Sequence, residues 1–339
     1  MQKKLTIKEI ADLAGVSKAT VSRVLNAKPG VSPTTRRKVE EVIKAHSYAP
    51  NLVARGLSLR RTGIIGLVVA HTARRLSSHL FFLEFLRGIS RVLEGEGFRL
   101  ILATADSEED YESSCRNMAH EGLTEGVVVL GVRKNDKRLR HFLQNGVPLV
   151  TVGNPLGYPG VSFVDADNYG GARMATEYLI GLGHERILFI NGPKAHTGSL
   201  AREHGYKAAL VAHGTKEHHI VYGDFSFESG YRAIKESLNR GYQPSGVFAA
   251  SDLAAMGAII ALKEAGIRAG KDASVIGFDD IPYASFFDPP LTTVRQPISE
   301  MGEEAGRLIL QVLRGVAAPL GKIFPTTLVV RESTVPSRA

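Results

Sequence analysis

Lys18, Ala19, Ser22 and Arg23 stand at helical spacing on one short stretch of the chain. An ammonium, a methyl, a hydroxyl and a guanidinium on one helix face are groups that read base edges or clamp phosphates in a major groove. A second set is scattered much further along: Arg202, Phe225, Ser251 and Asp279, each shortly after an apolar run. A charged fork, a carboxylate, a small hydroxyl and an aromatic plate are the parts that bind a sugar, by bidentate bonds to vicinal hydroxyls and stacking on the ring. Each also has a local reading. Arg202 could be an exposed helix residue, and Asp279-Asp280 and Ser251 could be turn chemistry, with Asp252 capping the next helix. Phe81 and Phe82 open a helix, where Phe82 could line a ligand or pack in a core.

The first set needs a scaffold, and the surrounding residues supply one. Thr6 followed by Glu9 is a capping box that starts a helix at Ile7, with Ile7, Ile10, Ala11 and Ala14 on its buried stripe. Gly15 breaks that helix and Ser17 caps a second, running through Asn26 with Val21 and Val24 inward. A turn this short forces a steep crossing, the geometry of a helix-turn-helix. Ser32-Pro33 starts a third helix reaching about His46, with Val39, Val42 and Ile43 inward. Plain helical hairpins share this pattern, so charge becomes the discriminator. Residues 1–62 carry 13 Lys and Arg against 4 Asp and Glu, a balance of +9, whereas residues 63–339 balance at −1. A basic head on a neutral body points to an anionic polymer or a membrane surface contacted by the head alone.

The second set belongs to a larger body. A chain of 339 residues has room for two or three domains. From Gly63 short β-branched runs alternate with amphipathic helices: strands at 64–69, 99–103, 126–130 and 149–152, then a second series from about Ser162. That rhythm predicts right-handed βαβ crossovers and two open parallel sheets, with ligands bound beyond the carboxyl ends of the strands. Two such sheets facing each other make a cleft.

Thr6-Ile7-Lys8-Glu9-Ile10-Ala11, Ala14-Gly15-Val16-Ser17, Thr20-Val21-Ser22-Arg23-Val24-Leu25-Asn26 and Tyr48-Ala49-Pro50-Asn51 resemble the DNA-binding head of the lactose/galactose-repressor family. The resemblance is dense over about the first 60 residues and thinner beyond. It implies a small all-α helix-turn-helix head (1–49), a hinge helix and linker (50–62), and an α/β two-lobed periplasmic-binding-protein-like body (63–339). Lobe one is expected at 63–161 plus 291–324, and lobe two at 162–290 plus 325–339. The implied DNA contacts are Thr6, Ser17, Lys18, Ala19, Thr20, Ser22, Arg23 and Asn26, joined in the hinge by Asn51, Ala54, Arg55 and Leu57. The hinge segment is too short for a stable isolated helix; the resemblance implies that it folds against its dimer mate in the minor groove, with Leu57 wedged into a base step. Arg202, Ser251 and Asp279 fall where the family places effector-contacting Arg, Asn and Asp, and Phe225 where a stacking aromatic can sit. Ser251 replaces a frequent Asn, and Gly153-Asn154 a pattern often holding Asp. Residues 164–168 and 176–184 further resemble maltose-regulator relatives.

The resulting expectation is a cytoplasmic, homodimeric repressor of a carbohydrate-utilisation operon. It would bind double-stranded, pseudo-palindromic operator DNA and respond to a small-molecule effector, most simply a sugar, with no cofactor. A purine corepressor is the alternative effector. Competing classes find little support in the sequence. Gly266 to Asp272 gives only G-x-x-x-G-K-D, short of a phosphate-binding loop, and no nucleophile elbow exists. His213, His218 and His219 have no neighbouring ligands at metal spacing. The single cysteine, Cys115, rules out an intrachain disulfide and reads as inert. A secreted sugar carrier would need a leader, and Met1–Lys8 has no apolar segment; no run approaches the 18 to 20 apolar residues of a membrane span. Without trailing leucine heptads, a dimer is expected over a tetramer.

Overall fold

The computed structural model describes residues 5–25, 28–46, 48, 62–69, 80–103, 108–120, 122–215, 218–315 and 321–337. Contacts divide the chain into a head, Met1–Thr62, and a body, Gly63–Ala339.

The head is three helices, α1 (Ile7–Ala14), α2 (Lys18–Leu25) and α3 (Pro33–Ala45). Its local rules all operate. Thr6 N donates to Glu9 Oε2 at 2.6 Å and Glu9 N to Thr6 Oγ1 at 3.3 Å, closing the capping box. Gly15 ends α1 at φ 61°, a left-handed cap that a side chain would resist. Ser32 caps α3 and Pro33 occupies its first turn. Ile10, Ala11, Ala14, Val21, Val24 and Val39 form the core, with Val42 and Ile43 packed at its edge.

In the body, sheet one runs β11-β5-β4-β3-β1-β2. Its strands are β1 (Ile64–Val69), β2 (Arg99–Ala103), β3 (Gly126–Leu130), β4 (Leu149–Val152), β5 (Ser162–Ala166) and β11 (Gly321–Phe324). All its pairings are parallel. Sheet two runs β12-β10-β9-β8-β6-β7. It comprises β6 (Ile187–Asn191), β7 (His219–Tyr222), β8 (Gly246–Ala249), β9 (Ser274–Asp279), β10 (Thr292–Arg295) and β12 (Thr327–Val329). Here the expectation of purely parallel sheets is corrected: β12 pairs antiparallel on β10, because the chain crosses back within a few residues of β11 and has no helix to reverse it. Helices α4 (Leu80–Gly95), α5 (Glu108–His120), α6 (Lys137–Gln144) and α11 (Ile298–Leu313) belong to lobe one. Lobe two holds α7 (Asn168–Gly181), α8 (Thr197–Ala212), α9 (Phe227–Asn239) and α10 (Asp252–Glu264). In lobe one, Phe85, Ile89 and Leu93 of α4 pack with Met301, Ala305 and Ile309 of α11 over the sheet. The two helices approach so closely that a Cβ on Gly88 would sit on the Ser299 carbonyl.

The lobe boundaries differ from expectation at two crossings. Ser162–Ala166, expected to open lobe two, pairs with β4 (Val150↔Ser162) and β11 (Gly321↔Phe163), so it belongs to lobe one and the chain crosses at Asp167, which caps α7. The segment from 291, expected in lobe one, first lays β10 beside β9 (Thr292↔Ile276); the return comes only after Arg295. A β-branched run reads alike on either sheet, and only its pairing decides the lobe.

Candidate functional site: a DNA-reading helix and an effector cleft

The head presents α2 outward. Lys18, Ala19 and Arg23 are exposed, and Thr20 and Ser22 are half-buried beside the inward Val21 and Val24. Two predicted contacts have a prior duty. Thr6 Oγ1 sits in the capping box, and Ser17 Oγ accepts from Thr20 N at 3.1 Å and lies 2.9 Å from Thr20 Oγ1. These caps fix where α2 begins, and therefore which side chains share its outer face. Asn26 and the hinge residues Asn51, Ala54, Arg55 and Leu57 lie outside the described residues.

In the body, Phe82, Arg202, Phe225, Ser251 and Asp279 all line one cleft between the lobes, about 920 Å³ of empty space including its open mouth. Arg202 stands in the second turn of α8 and is buried, not exposed. Its Nε donates to Asn168 Oδ1 at 2.8 Å, its Nη1 to the Ala250 carbonyl, and its guanidinium lies 3.8 Å from the Phe278 ring centroid. Burial lowers its pKa, and Asp279, Asp165 and Asp252 oppose that shift. Asp279 and Asp165, where ionised, thus favour the charged guanidinium inside the protein.

Asp279 ends β9, where Gln296 Nε2 donates to its Oδ1 at 2.6 Å. Burial pushes its carboxyl up to about 7, against the pull of Arg202. Its backbone is at φ 117°, Asp280 follows at φ 58°, and Phe225 on the facing loop is at φ 67°. Non-glycine residues in this region store strain that the surrounding fold must hold, and such strain concentrates at binding sites. At Phe225 it presents the ring to the cleft, edge-on to His196 with centroids 5.2 Å apart.

The Ser251-Asp252 pair needs correction. Ser251, not Asp252, caps α10: its Oγ accepts from Ala254 N at 3.1 Å and donates to the Phe225 carbonyl at 2.8 Å. Asp252 is fully buried, accepting from Ile281 N and the Thr293 hydroxyl; burial raises its pKa well above the carboxylate range. Ser251 therefore fixes the Phe225 loop from the cleft wall. Phe82 is buried in the lobe-one core and also lines the cleft.

The cleft also contains Asp165, Asn168, His196 and Gln296, which sequence reasoning did not select. Asp165, next to last in β5, receives Asn154 N at 3.0 Å and Ala166 N at 2.9 Å; burial pushes its carboxyl up to about 6. The Gly153-Asn154 loop, lacking the family's Asp, thus lies against a carboxylate supplied by the next strand. Gln296 directly follows β10 at the second crossing and His196 caps α8. Their common signal is position at a strand end or crossing, which requires the sheet assignment first.

Among the described residues no His, Cys, Asp and Glu cluster could hold a metal, and no helix is long and apolar enough to cross a membrane. Cys115 is buried, which pushes its thiol up to about 12 and keeps it from thiolate chemistry.

Residues 6–51 match the family model of bacterial regulatory proteins of the lacI family, and residues 176–334 match that of a periplasmic binding protein-like domain. The HTH-type transcriptional regulator CelR of Thermobifida fusca is 39% identical over 333 residues, 97% of this chain and 98% of CelR. The ribose operon repressor of Escherichia coli K12 is 36% identical over 304 residues, 88% of this chain and 90% of the repressor. Among solved structures, a CelR–cellobiose complex aligns with a TM-score of 0.77 at 38% identity, covering 98% of this chain and 100% of that one. The Lac repressor dimer bound to operator and the anti-inducer ONPF aligns at 0.87 and 28% identity, with the same coverage. The basic helix-turn-helix and the two-lobed body are together the architecture of these regulators, and the chain belongs to the lacI family of DNA-binding transcription regulators, not to an enzyme family.

Proposed function

We propose that this chain is a cytoplasmic homodimer that represses a carbohydrate-utilisation operon and releases or grips its operator when an uncharged sugar binds between the lobes. The observation that carries the sugar reading is the convergence of Arg202 and Asp279 on one cleft walled by Phe82 and Phe225. A guanidinium donating beside a carboxylate accepting suits vicinal hydroxyls, and aromatic plates suit the apolar faces of pyranose rings. The cellobiose complex of CelR supports a disaccharide. No cofactor enters this reading.

Two heads on a two-fold axis address the half-sites of a pseudo-palindrome, with Lys18, Ala19, Ser22 and Arg23 at the base edges. The hinge residues Asn51, Ala54, Arg55 and Leu57 complete the operator contact in this proposal. Sugar and operator then compete or cooperate by linkage: whatever factor the sugar imposes on operator affinity, the operator imposes on sugar affinity. The same aromatic plates would also suit the flat face of a purine, which gives the test a second arm.

The test screens cellobiose, maltose, ribose, guanine and hypoxanthine by thermal shift on the full-length protein. Each hit is then titrated against an operator recovered by selection from random duplexes. A sugar that shifts both melting and operator affinity is the expected result; a response to purines alone replaces the sugar reading, and no response to either removes it.

A further inference from the structure

Asn168 is the first residue of α7, buried, one residue after the chain crosses between lobes. Its side-chain amide is used at both ends. The Oδ1 accepts from Arg202 Nε at 2.8 Å, and Nδ2 donates to Asp165 Oδ1 at 2.8 Å and to the Ala166 carbonyl at 3.1 Å. Asp165 is itself fixed to lobe one by Asn154 N and Ala166 N. A continuous line of hydrogen bonds therefore runs from the cation of lobe two, through a single amide at the crossing, to a carboxylate of lobe one. By contrast, the bond of Arg202 to Ala250 and its contact with Phe278 stay inside lobe two.

The amide is directional. Reversed, it would set NH₂ against a guanidinium and oxygen against a carboxylate, repulsive at both ends. Independently, the first turn of α8 is tied to lobe one by its main chain: Lys134 N donates to Ala195 O at 2.9 Å and Thr197 N to Val132 O at 3.0 Å. The helix that carries Arg202 is thus held to the end of β3 by its first turn and to the end of β5, through Asn168, by its second.

We propose that Asn168 is the positioning residue that holds Arg202 in register with lobe one, so that ligand contact at Arg202 is transmitted across the lobe crossing. This rests on the reading of the cleft as a sugar site. Removing the amide uncouples the cation from Asp165 and so uncouples the sugar response from the operator.

The experiment uses full-length wild type, Asn168→Leu and Asn168→Asp, with the panel sugar that shifts wild type as probe. The readout is the fold-change in operator affinity on saturating sugar, at about pH 8 and about pH 5.5. Wild type is expected to respond by about tenfold or more. Asn168→Leu, which can neither accept nor donate, responds by less than about threefold at both pH values. Asn168→Asp keeps the acceptor toward Arg202 but faces Asp165 with a second carboxylate. At high pH the two repel and the response is lost. At low pH the pair takes up a proton, one oxygen becomes a donor in place of the amide, and the response returns relative to wild type. The charged and titratable groups facing this pair are Arg202 and His196 of α8, Asp279 at the end of β9 and Asp252 behind Arg202. A role in packing alone gives no recovery with acid. A wild-type-sized response in Asn168→Leu, or a response in Asn168→Asp that tracks wild type at both pH values, overturns the proposal. Should Asn168→Leu fail to fold, the acid recovery of Asn168→Asp decides. If wild type answers no sugar, the sugar reading fails and this inference fails with it, a result distinct from a responsive wild type with responsive variants.

Discussion

The head and the cleft solve opposite problems with the same few residue types. On α2 the charges of Lys18 and Arg23 are left exposed, and the neighbouring hydroxyls of Thr6 and Ser17 are spent on helix caps. In the cleft the charge of Arg202 is buried and surrounded by Asp165, Asp252 and Asp279. An exposed cation meets a phosphate backbone that supplies its own counter-charge and releases counterions. A buried cation must be compensated before any ligand arrives, and what remains is a directional donor suited to a neutral polyol. The difference teaches that charge in the head serves affinity, while charge in the cleft serves geometry.

The sharpest way to break that contrast is to remove the buried cation. Arg202→Met keeps the stem and deletes the fork, leaving Asp279 and Asp165 facing each other without it. Hydrogen bonds to charged groups contribute roughly 1.5–3 kcal/mol each, so sugar affinity measured by calorimetry is expected to fall by about 100-fold or more. Operator affinity without sugar should fall far less. An equal fall in both would mean that Arg202 serves the fold of the whole body and that the cleft is not a separate device.

Next in size is the exposed cation. Arg23→Ala is expected to weaken operator binding by about 10- to 100-fold, within the 1–3 kcal/mol of a good base contact. Should Arg23 hold a phosphate instead, the loss is uniform across operator variants and the salt slope drops by about one. Calorimetry with sugar should be unaffected, since Arg23 lies in the head. A changed sugar affinity would break the division between the two units.

The two regions also differ in how far the sequence discloses them. The helix boundaries of the head are set within a few residues: the Thr6–Glu9 box, the Gly15 cap and the Ser32-Pro33 start are spacing rules, and the structure contains each of them. In the cleft, Arg202, Asp279 and Phe225 were visible because they follow apolar strands. Asp165 and Asn168 were not, because their significance depends on β5 joining sheet one, and that is decided by pairing with β4 and with β11, the latter more than 150 residues away. The same ambiguity shifts two of the three lobe crossings. The exchange of roles between Ser251 and Asp252 has the same origin. Either can cap a helix, and only the positions of Ile281 and Thr293, brought by the fold, assign Asp252 inward.

A third prediction concerns pH and acts on the cleft alone. Asp279 and Asp165 have folded-state carboxyls raised to about 7 and about 6, above the ordinary 3.8. The folded body therefore holds protons that the unfolded chain has already released, and stability falls as pH rises from about 4 toward about 7, then levels. Melting of the body should show this fall in wild type, and less of it in Asp279→Asn. Sugar hydroxyls need the ionised acceptor, so sugar affinity should rise severalfold from about pH 6 to about pH 8. A flat profile of sugar affinity would deny Asp279 its role as acceptor.

The smallest effect expected is in the head, and it tests how local the head's construction is. Thr6→Ala removes the hydroxyl that accepts from Glu9 N at 3.3 Å, but the backbone N–H of residue 6 still donates to Glu9 Oε2, now 2.6 Å away. Half of the capping box survives, so the cost should sit at the low end for a cap, about 0.5–1 kcal/mol. Amide exchange of α1 should then quicken by about twofold to fivefold. Because the bonds of the cap close within residues 6–9, the quickening should stop at α1 to α3. Amides around Arg202 and Asn168 should exchange at wild-type rates, and a change there would show that the cap of the first helix is felt in the sugar cleft, joining energetically the two regions that the charges keep apart.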